Sequence, residues 1–147
     1  MVLEIEQIRA EYLPSISQLF VDVFSNPPWD EYWELDWAYG RLDWIYRSQG
    51  FRGYLAQDSD RPVGAIMGHF VPFQGKKGFQ IIEFLVEAEY QKQGIGSMLL
   101  ARLESDLRQE SYDFVSLLTA KDSSAESFYL KRSYQRDSKI VLLNKEL

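Results

Sequence analysis

Two glycines lie where a strand-like segment gives way to a helix-like segment. Residues 79–86 read FQIIEFLV, residues 91–96 read QKQGIG, and the apolar helical pattern SMLLARL follows at once. Glycine disfavours a helix interior by about 1 kcal/mol relative to alanine. A turn followed by a weak helix start would account for Gly94 alone, so Gly96 needs another reason.

A bound phosphate would supply that reason. The first turn of a helix carries N–H groups without intrahelical partners, at the positive end of the helix dipole. Glycines there leave the backbone bare, so that a phosphate can approach it. The segment is therefore a candidate diphosphate site. Two nucleotide motifs are excluded, because the Walker A pattern is absent and Leu99 occupies the third glycine position of GxGxxG.

Composition limits the remaining chemistry. The 147 residues fit one domain, 1–147, and suffice to bury a core. The chain has no cysteine and a single histidine, His69, so disulfides, thiol nucleophiles and multi-histidine metal sites are excluded, and we expect no metal. The formal net charge of −6 disfavours nucleic acid and mildly favours cationic substrates.

The sequence predicts neither export nor membrane insertion. Residues 1–13 lack the basic region and the continuous apolar core of a signal peptide. No apolar run approaches the length of about 18 residues that a spanning helix needs. We expect the protein in the cytoplasm, with no membrane partner.

The hydrophobic pattern predicts elements in the order β-α-α-β-β-β-α-β-α-β. Alternating or short apolar runs predict strands at 2–8, 51–57, 62–71, 79–86, 114–119 and 140–143. Helical spacing, turn residues and caps predict helices at 14–24, 29–47, from the glycines to about 109, and from Asp122 or Ser123 to about 131. We expect a mixed α/β (α+β) fold with an antiparallel meander, one parallel pair and helices on both faces of the sheet.

The glycine segment resembles motif A of the GCN5-related N-acetyltransferase (GNAT) superfamily, [QR]-x-x-G-x-[GA], which binds the pyrophosphate of acetyl-CoA. The flanking segments IIEFLV and FVSLLTA resemble the family's fourth and fifth strands. Residues 122–134, DSSAESFYLKRSY, resemble its N-x-x-A-x-x-F-Y-x-K-x-G-F segment. Two positions depart from the pattern, because Asp122 replaces the usual asparagine and Ser133-Tyr134 replaces Gly-Phe.

The resemblance implies the GNAT fold and acetyl-CoA as cofactor, with CoA as product. It assigns the diphosphate to the motif backbone and the pantetheine arm to the end of the preceding strand. The implied cofactor-binding residues are Leu85, Val86, Gln91, Lys92, Gln93, Gly94, Ile95, Gly96, Ser97, Asp122 and Ala125. The backbone N–H near Val86 would also polarise the thioester carbonyl, as an oxyanion hole does. Simple core packing is the alternative role for the Val86 side chain.

Two residues are candidates for proton transfer. An alkylammonium has a pKa of about 10, so a base must take its proton near neutral pH. Glu83, which interrupts an apolar run, is the candidate base; an exposed strand face is the alternative explanation, and His69 and Asp122 are alternative bases. The resemblance makes Tyr129 the general acid for the departing thiolate, and an aromatic core position beside Phe128 is the alternative.

Residues 27–46, PPWDEYWELDWAYGRLDWIY, interleave aromatic and acidic side chains. Aromatic faces beside carboxylates suit a cation, and in the GNAT family the region between the first two helices covers the acceptor site. We predict that Trp29, Asp30 and Trp33 contact an amine-rich acceptor such as an aminoglycoside or a polyamine. The alternative is an ordinary amphipathic helix. Its core stripe would be Leu35, Tyr39, Leu42 and Tyr46, beside a second stripe of Trp33, Trp37 and Trp44.

Three functions stay open at this point. The leading hypothesis is transfer of an acetyl group from acetyl-CoA to a primary amine of a small cationic acceptor, by direct attack. It follows the resemblance to aminoglycoside-acetyltransferase-like members of the superfamily. The alternatives are a catalytically silent acyl-CoA-binding regulatory module and a protein N-acetyltransferase. Family members are often dimers, so exposed aromatic side chains could serve a homodimer instead of a substrate.

Overall fold

A five-stranded mixed sheet organises the first 117 residues. The computed structural model describes residues 1–147, which group into two units, Met1–Leu117 and Leu118–Leu147. The first unit contains β1 (Leu3–Gln7), α1 (Leu13–Phe24), α2 (Leu35–Tyr46), β2 (Arg52–Asp58), β3 (Arg61–Phe73), β4 (Lys76–Val86), α3 (Ile95–Gln109) and β5 (Phe114–Leu117). The strands lie in sequence order; β1 to β4 pair antiparallel and β5 pairs parallel with β4. The predicted meander and parallel pair are confirmed.

The second unit contains one short helix, α4 (Ser124–Leu130). The Ser123 hydroxyl caps it by accepting the Glu126 N–H at 3.1 Å, so of the two predicted caps Ser123 is the one used. The strand predicted at 140–143 is absent: these four apolar residues are 67–85% exposed and pair with no strand. A strand requires a neighbouring backbone to satisfy its N–H and C=O groups, and an apolar run alone does not supply one. No helix of the chain is long and apolar enough to cross a bilayer.

The core of the first unit lies between α1, α2 and one face of the sheet. Leu13, Ile16 and Phe20 recur at helical spacing on α1 and are almost fully buried. They pack with sheet residues such as Leu55 and Met67. Burying a side chain of this size stabilises the fold by about 1.5–3 kcal/mol, so this face holds α1 on the sheet.

The predicted core stripe of α2 is largely wrong. The buried residues are Ala38, Leu42 and Ile45, whereas Leu35 is 48% and Tyr39 is 41% exposed. Trp37 and Trp44 are also more than half exposed. Aromatic residues occupy several faces of this helix, so hydrophobicity alone does not select the inner face.

A β-bulge in β4 interrupts the regular pairing of β3 with β4 next to Glu83. Met67 of β3 pairs with Glu83, while Gly68 pairs with Ile81, so Ile82 is an extra residue in β4. At Gly68 a Cβ atom would lie 1.9 Å from the carbonyl oxygen of Gln80. Only glycine therefore permits this close approach of β3 and β4.

Candidate active site

The sheet opens along β4. The parallel pairing with β5 covers only Gly78–Ile81 and Phe114–Leu117, whereas β4 continues to Val86. From Ile82 onward, β4 is paired on the β3 side alone. An unpaired strand edge presents N–H and C=O groups to an extended ligand, so the predicted pantetheine position has a physical basis in this opening.

The glycine segment forms the N-terminus of α3. Gly94 is the N-cap, with φ of 84° in the left-handed region that favours glycine, and no side chain caps the helix. A Cβ atom at Gly94 would meet no atom within 4 Å. The position that a side chain of residue 94 would take is therefore open, and the uncapped first-turn N–H groups suit an anionic diphosphate. Ile95, which is buried, anchors this end of the helix.

A side-chain contact joins the open strand to the glycine segment. The Gln91 amide donates to the Val86 carbonyl oxygen at 3.0 Å, and Gln93 donates to the Glu89 carbonyl oxygen, also at 3.0 Å. Lys92 between them has φ of 64°. The Leu85 side chain packs in the α1–α2 core, so it does not reach a ligand at the open strand edge.

Glu83 is buried just after the bulge. It is 9% exposed and forms an ion pair with Arg41 of α2. The explanation that places Glu83 on an exposed strand face is therefore wrong. Burial raises the pKa of the Glu83 carboxyl above its ordinary value, while the charge and hydrogen bond of Arg41 oppose the rise and Glu31 adds to it. A carboxylate with a raised pKa is better matched to proton transfer near neutral pH.

Arg41 is the functional candidate that the sequence reasoning missed. It lies 42 residues from Glu83 in the chain, so no local motif links the two. One signal was available: Arg41 is the only basic residue in the acidic and aromatic segment 27–46. That composition singles out Arg41 as a charge that differs from its neighbours, but it does not identify the partner.

The predicted substrate residues differ in their surroundings. Trp29 lines a cleft of about 180 Å³ that Gln91 of the glycine segment also lines. Asp30 is exposed. Trp33 packs partly in the core, edge-on to Phe20 at 4.7 Å between ring centroids, and its indole N–H donates to Glu31 at 2.8 Å. Trp29 is thus the predicted substrate residue that lines this cleft, and Trp33 also has a structural role.

The cleft combines apolar and acidic side chains. Its complete lining is Asp22, Val23, Asn26, Pro27, Trp29, Glu87, Ala88, Glu89 and Gln91. The Glu87 carboxylate forms a two-bond ion pair with Arg61, with both distances at 2.7 Å. An aromatic face beside carboxylates is suited to an organic cation.

Three predicted residues lie in the second unit. Tyr129 on α4 is 9% exposed, and its ring contacts those of Phe128 and Tyr134 at centroid distances of 5.4 and 5.5 Å. Asp122 pairs with Arg136 at 2.7 Å. The carboxylate of Asp122 therefore forms an ion pair, which a neutral asparagine at that position would not form. Ala125 lies in the first turn of α4.

The chain matches known acetyltransferases. The model of the acetyltransferase (GNAT) family matches residues 11–134. None of the curated protein sequences compared with the chain matches it. An aminoglycoside acetyltransferase from an uncultured soil metagenomic sample, solved in complex with sisomicin, is 20% identical, with 99% of this chain and 96% of that chain covered and a TM-score of 0.76.

Two further solved structures share the fold. A protein described as a possible acetyltransferase from Clostridium difficile is 16% identical with a TM-score of 0.81, over 100% of this chain and 99% of that chain. A ribosomal-protein-alanine N-acetyltransferase from Brucella melitensis biovar Abortus is 11% identical with a TM-score of 0.75, over 99% and 100%. Identities this low establish the fold and leave the substrate open. The family match over residues 11–134 establishes more: the chain belongs to the acetyltransferase (GNAT) family.

Proposed function

We propose that the protein transfers the acetyl group of acetyl-CoA to a primary amine of a small cationic acceptor, by direct attack of the amine. The observation that carries this proposal is the opening of the sheet after Ile81, which leads along β4 to the uncapped glycine terminus of α3. The buried Glu83 lies within the opened part of β4. The carboxylate of Glu83, the unpaired edge of β4 and the candidate anion site at the glycines thus follow one another within 14 residues, 83–96.

The backbone of residues 91–97 would hold the diphosphate of acetyl-CoA. The open space before Gly94 supports this assignment, because a Cβ there meets no protein atom. Leu85 and Val86 would pair with the pantetheine arm through their backbone, and Asp122 and Ala125 would complete the cofactor site. Bound acetyl-CoA would supply the acetyl group as a thioester. The N–H near Val86 would donate to the thioester carbonyl.

Glu83 would act as the general base. Its carboxylate would take a proton from the acceptor ammonium, directly or through a water, so that the nitrogen presents a lone pair. Tyr129 would be the general acid, whose hydroxyl donates a proton to the departing sulfur. The phenol suits this role because its hydroxyl carries a proton that it can donate.

The acceptor would be a small organic cation. The cleft lined by Trp29, with the carboxylates of Asp22 and Glu89 around it, supports a cationic ligand. Asp30 and Trp33 are further candidates for contact with it. An amine-rich acceptor is also the ligand class of one protein that shares the fold, the aminoglycoside acetyltransferase solved with sisomicin. A cytoplasmic location and a homodimer remain predictions.

Release of CoA thiol from acetyl-CoA, measured with a panel of aminoglycosides, polyamines and simple amines, tests the proposal. We expect at least one amine to support turnover. In Tyr129→Phe and Glu83→Gln, turnover should fall by about 10²- to 10⁴-fold, while acetyl-CoA still raises the unfolding temperature. Acetyl-CoA binding without turnover on any amine or on peptide N-termini would favour a silent acyl-CoA-binding module. Turnover on peptides alone would favour a protein N-acetyltransferase.

A further inference from the structure

A single cation holds the buried carboxylate of Glu83. Arg41 Nε of α2 donates to Glu83 Oε1 of β4, and the two side chains form an ion pair. The Glu83 side chain is 10% exposed, whereas that of Arg41 is 39% exposed. The arginine therefore reaches from the surface of α2 to a carboxylate within the sheet–helix interface.

The two oxygens of Glu83 differ in their environments. Oε1 accepts the hydrogen bond from Arg41, and Oε2 has no hydrogen bond. Since no buried polar side-chain atom of the chain lacks a partner, Oε2 is accessible to solvent. One oxygen is thus held by the arginine while the other is open to an incoming proton.

Few charges act on Glu83. Arg41 from α2 favours the carboxylate, and Glu31 from the segment before α2 disfavours it. β3 places the uncharged Met67 opposite Glu83, and α1 contributes no charge that acts on this group. Glu31 is itself fixed by the Trp33 indole N–H, so both charges near Glu83 are held in place.

We propose that Arg41 is the positioning residue for Glu83: it fixes the direction of the buried carboxylate and keeps it in the ionised form that accepts a proton through Oε2. This inference rests on the proposed function, which makes Glu83 the base. The proton moves from the acceptor ammonium to Oε2, and Arg41 exchanges no proton, since a guanidinium stays charged throughout the working pH range. Without the cation, burial favours the protonated carboxyl, which has no capacity to accept a proton.

The pH profile of kcat/KM for one accepted amine tests this role. In Arg41→Gln we expect the acidic limb of the profile to move upward by about 1 to 3 pH units. Arg41→Lys should stay closer to the wild type because it keeps the positive charge. Glu31→Gln should move the limb downward, because it removes a negative charge while keeping an oxygen for the Trp33 indole.

Arg47→Gln is the matched control. Arg47 follows the same helix and pairs with Asp43 at 2.9 Å on the surface, so this variant removes a guanidinium and an ion pair without touching Glu83. Its acidic limb should coincide with that of the wild type. In all variants, stabilisation of the fold by acetyl-CoA should be unchanged.

Two results would overturn the inference, and they differ from a failure of the proposed function. An Arg41→Gln enzyme with an unmoved acidic limb would exclude the electrostatic role. Equal loss of kcat/KM at every pH, or an identical loss in Arg47→Gln, would assign Arg41 a merely structural role. If the unmodified chain releases no thiol with any amine, the proposed function itself fails, and this is seen before any variant is made.

Discussion

The side-chain amide of Gln91 donates a hydrogen bond to the main-chain carbonyl of Val86, at 3.0 Å. This bond spans the 3-10 turn Ala88–Tyr90 and joins the open end of β4 to the glycine segment before α3. It fixes the relative position of the two backbone segments that we assign to the pantetheine arm and the diphosphate. A bond made by the protein alone thus sets the geometry of the proposed cofactor site.

Gln91→Ala should weaken acetyl-CoA binding by about 2- to 12-fold, the equivalent of one hydrogen bond of 0.5–1.5 kcal/mol. The loss arises because the two halves of the site are no longer held together. Calorimetric titration with acetyl-CoA measures it. Gln18→Ala, which removes a glutamine amide bonded to Asp22 on α1, should bind as the wild type does. Equal affinities for all three proteins would show that the Gln91–Val86 bond does not organise the site.

Gly94→Ala should lose stability and acetyl-CoA binding together. Gly94 has φ of 84°, where an L side chain costs about 1–2 kcal/mol, and the new methyl group would occupy the open space before the helix terminus. Thermal unfolding with and without acetyl-CoA measures both effects.

Gly75→Ala is the matched comparison for Gly94→Ala. Gly75 lies in the turn between β3 and β4 with φ of 76°, and a Cβ there also meets no atom within 4 Å. The backbone strain is therefore similar, but no ligand is proposed at that turn. Gly75→Ala should keep the full stabilisation by acetyl-CoA. The same loss of binding in both variants would contradict a diphosphate site at Gly94.

Glu83→Gln should gain stability relative to the wild type as pH rises, while it lowers turnover. The folded-state pKa of Glu83 is raised above its ordinary value, so the folded chain binds the proton more tightly than the unfolded chain. The stability of the wild type therefore falls as pH rises from the ordinary pKa of a glutamate to the raised pKa of Glu83 in the folded chain. The neutral amide in the variant does not titrate, so the variant avoids that loss. The difference in unfolding temperature between the variant and the wild type should grow from pH 4 to pH 8, followed by calorimetry.

Glu126→Gln should behave in the opposite way. Hydrogen bonds from Arg136 lower the pKa of Glu126, so its contribution to stability is present above the ordinary pKa and is lost as pH falls. This variant should be less stable than the wild type at neutral pH, with the difference shrinking in acid. If Glu83→Gln and Glu126→Gln respond to pH with the same sign, burial does not control Glu83 as described.

Gly40→Ala should stabilise the fold by about 0.5–1 kcal/mol without changing turnover. Gly40 is an exposed interior residue of α2, and a Cβ there meets nothing within 4 Å. The gain corresponds to about 1–4 °C in the unfolding temperature. A loss of stability would mean that the surface of α2 near Gly40 is covered by another group.

Local patterns were sufficient to predict most of the sheet. The apolar runs of β2 to β5 and the glycines at the start of α3 specify these elements through nearby residues, because alternation, turns and helix starts are local. The predicted strand at 140–143 failed for the converse reason: its apolar side chains satisfy the local rule, but pairing depends on a distant strand.

The candidate site could be proposed from the sequence only where it rests on a motif. Gly94 and Gln91 lie in a contiguous pattern, whereas the pairing of Arg41 with Glu83 depends on the bulge at Ile82 and on which face of α2 turns inward. The sequence suggested an inner face containing Leu35 and Tyr39, and the structure instead buries Ala38, Leu42 and Ile45. Packing against the sheet decides which face of α2 is buried, and hydrophobic periodicity alone does not predict that face.

Thermal unfolding tests whether the chain binds acetyl-CoA, with saturating acetyl-CoA compared against adenosine nucleotides at equal concentration. A ligand at about 100 times its dissociation constant stabilises the fold by about 2.7 kcal/mol, which corresponds to about 5–11 °C for a chain of this size. We expect an increase in the unfolding temperature of this order with acetyl-CoA and a much smaller one with the nucleotides. No increase with acetyl-CoA would contradict the cofactor site, and Glu83, Arg41 and Tyr129 would then have structural roles alone.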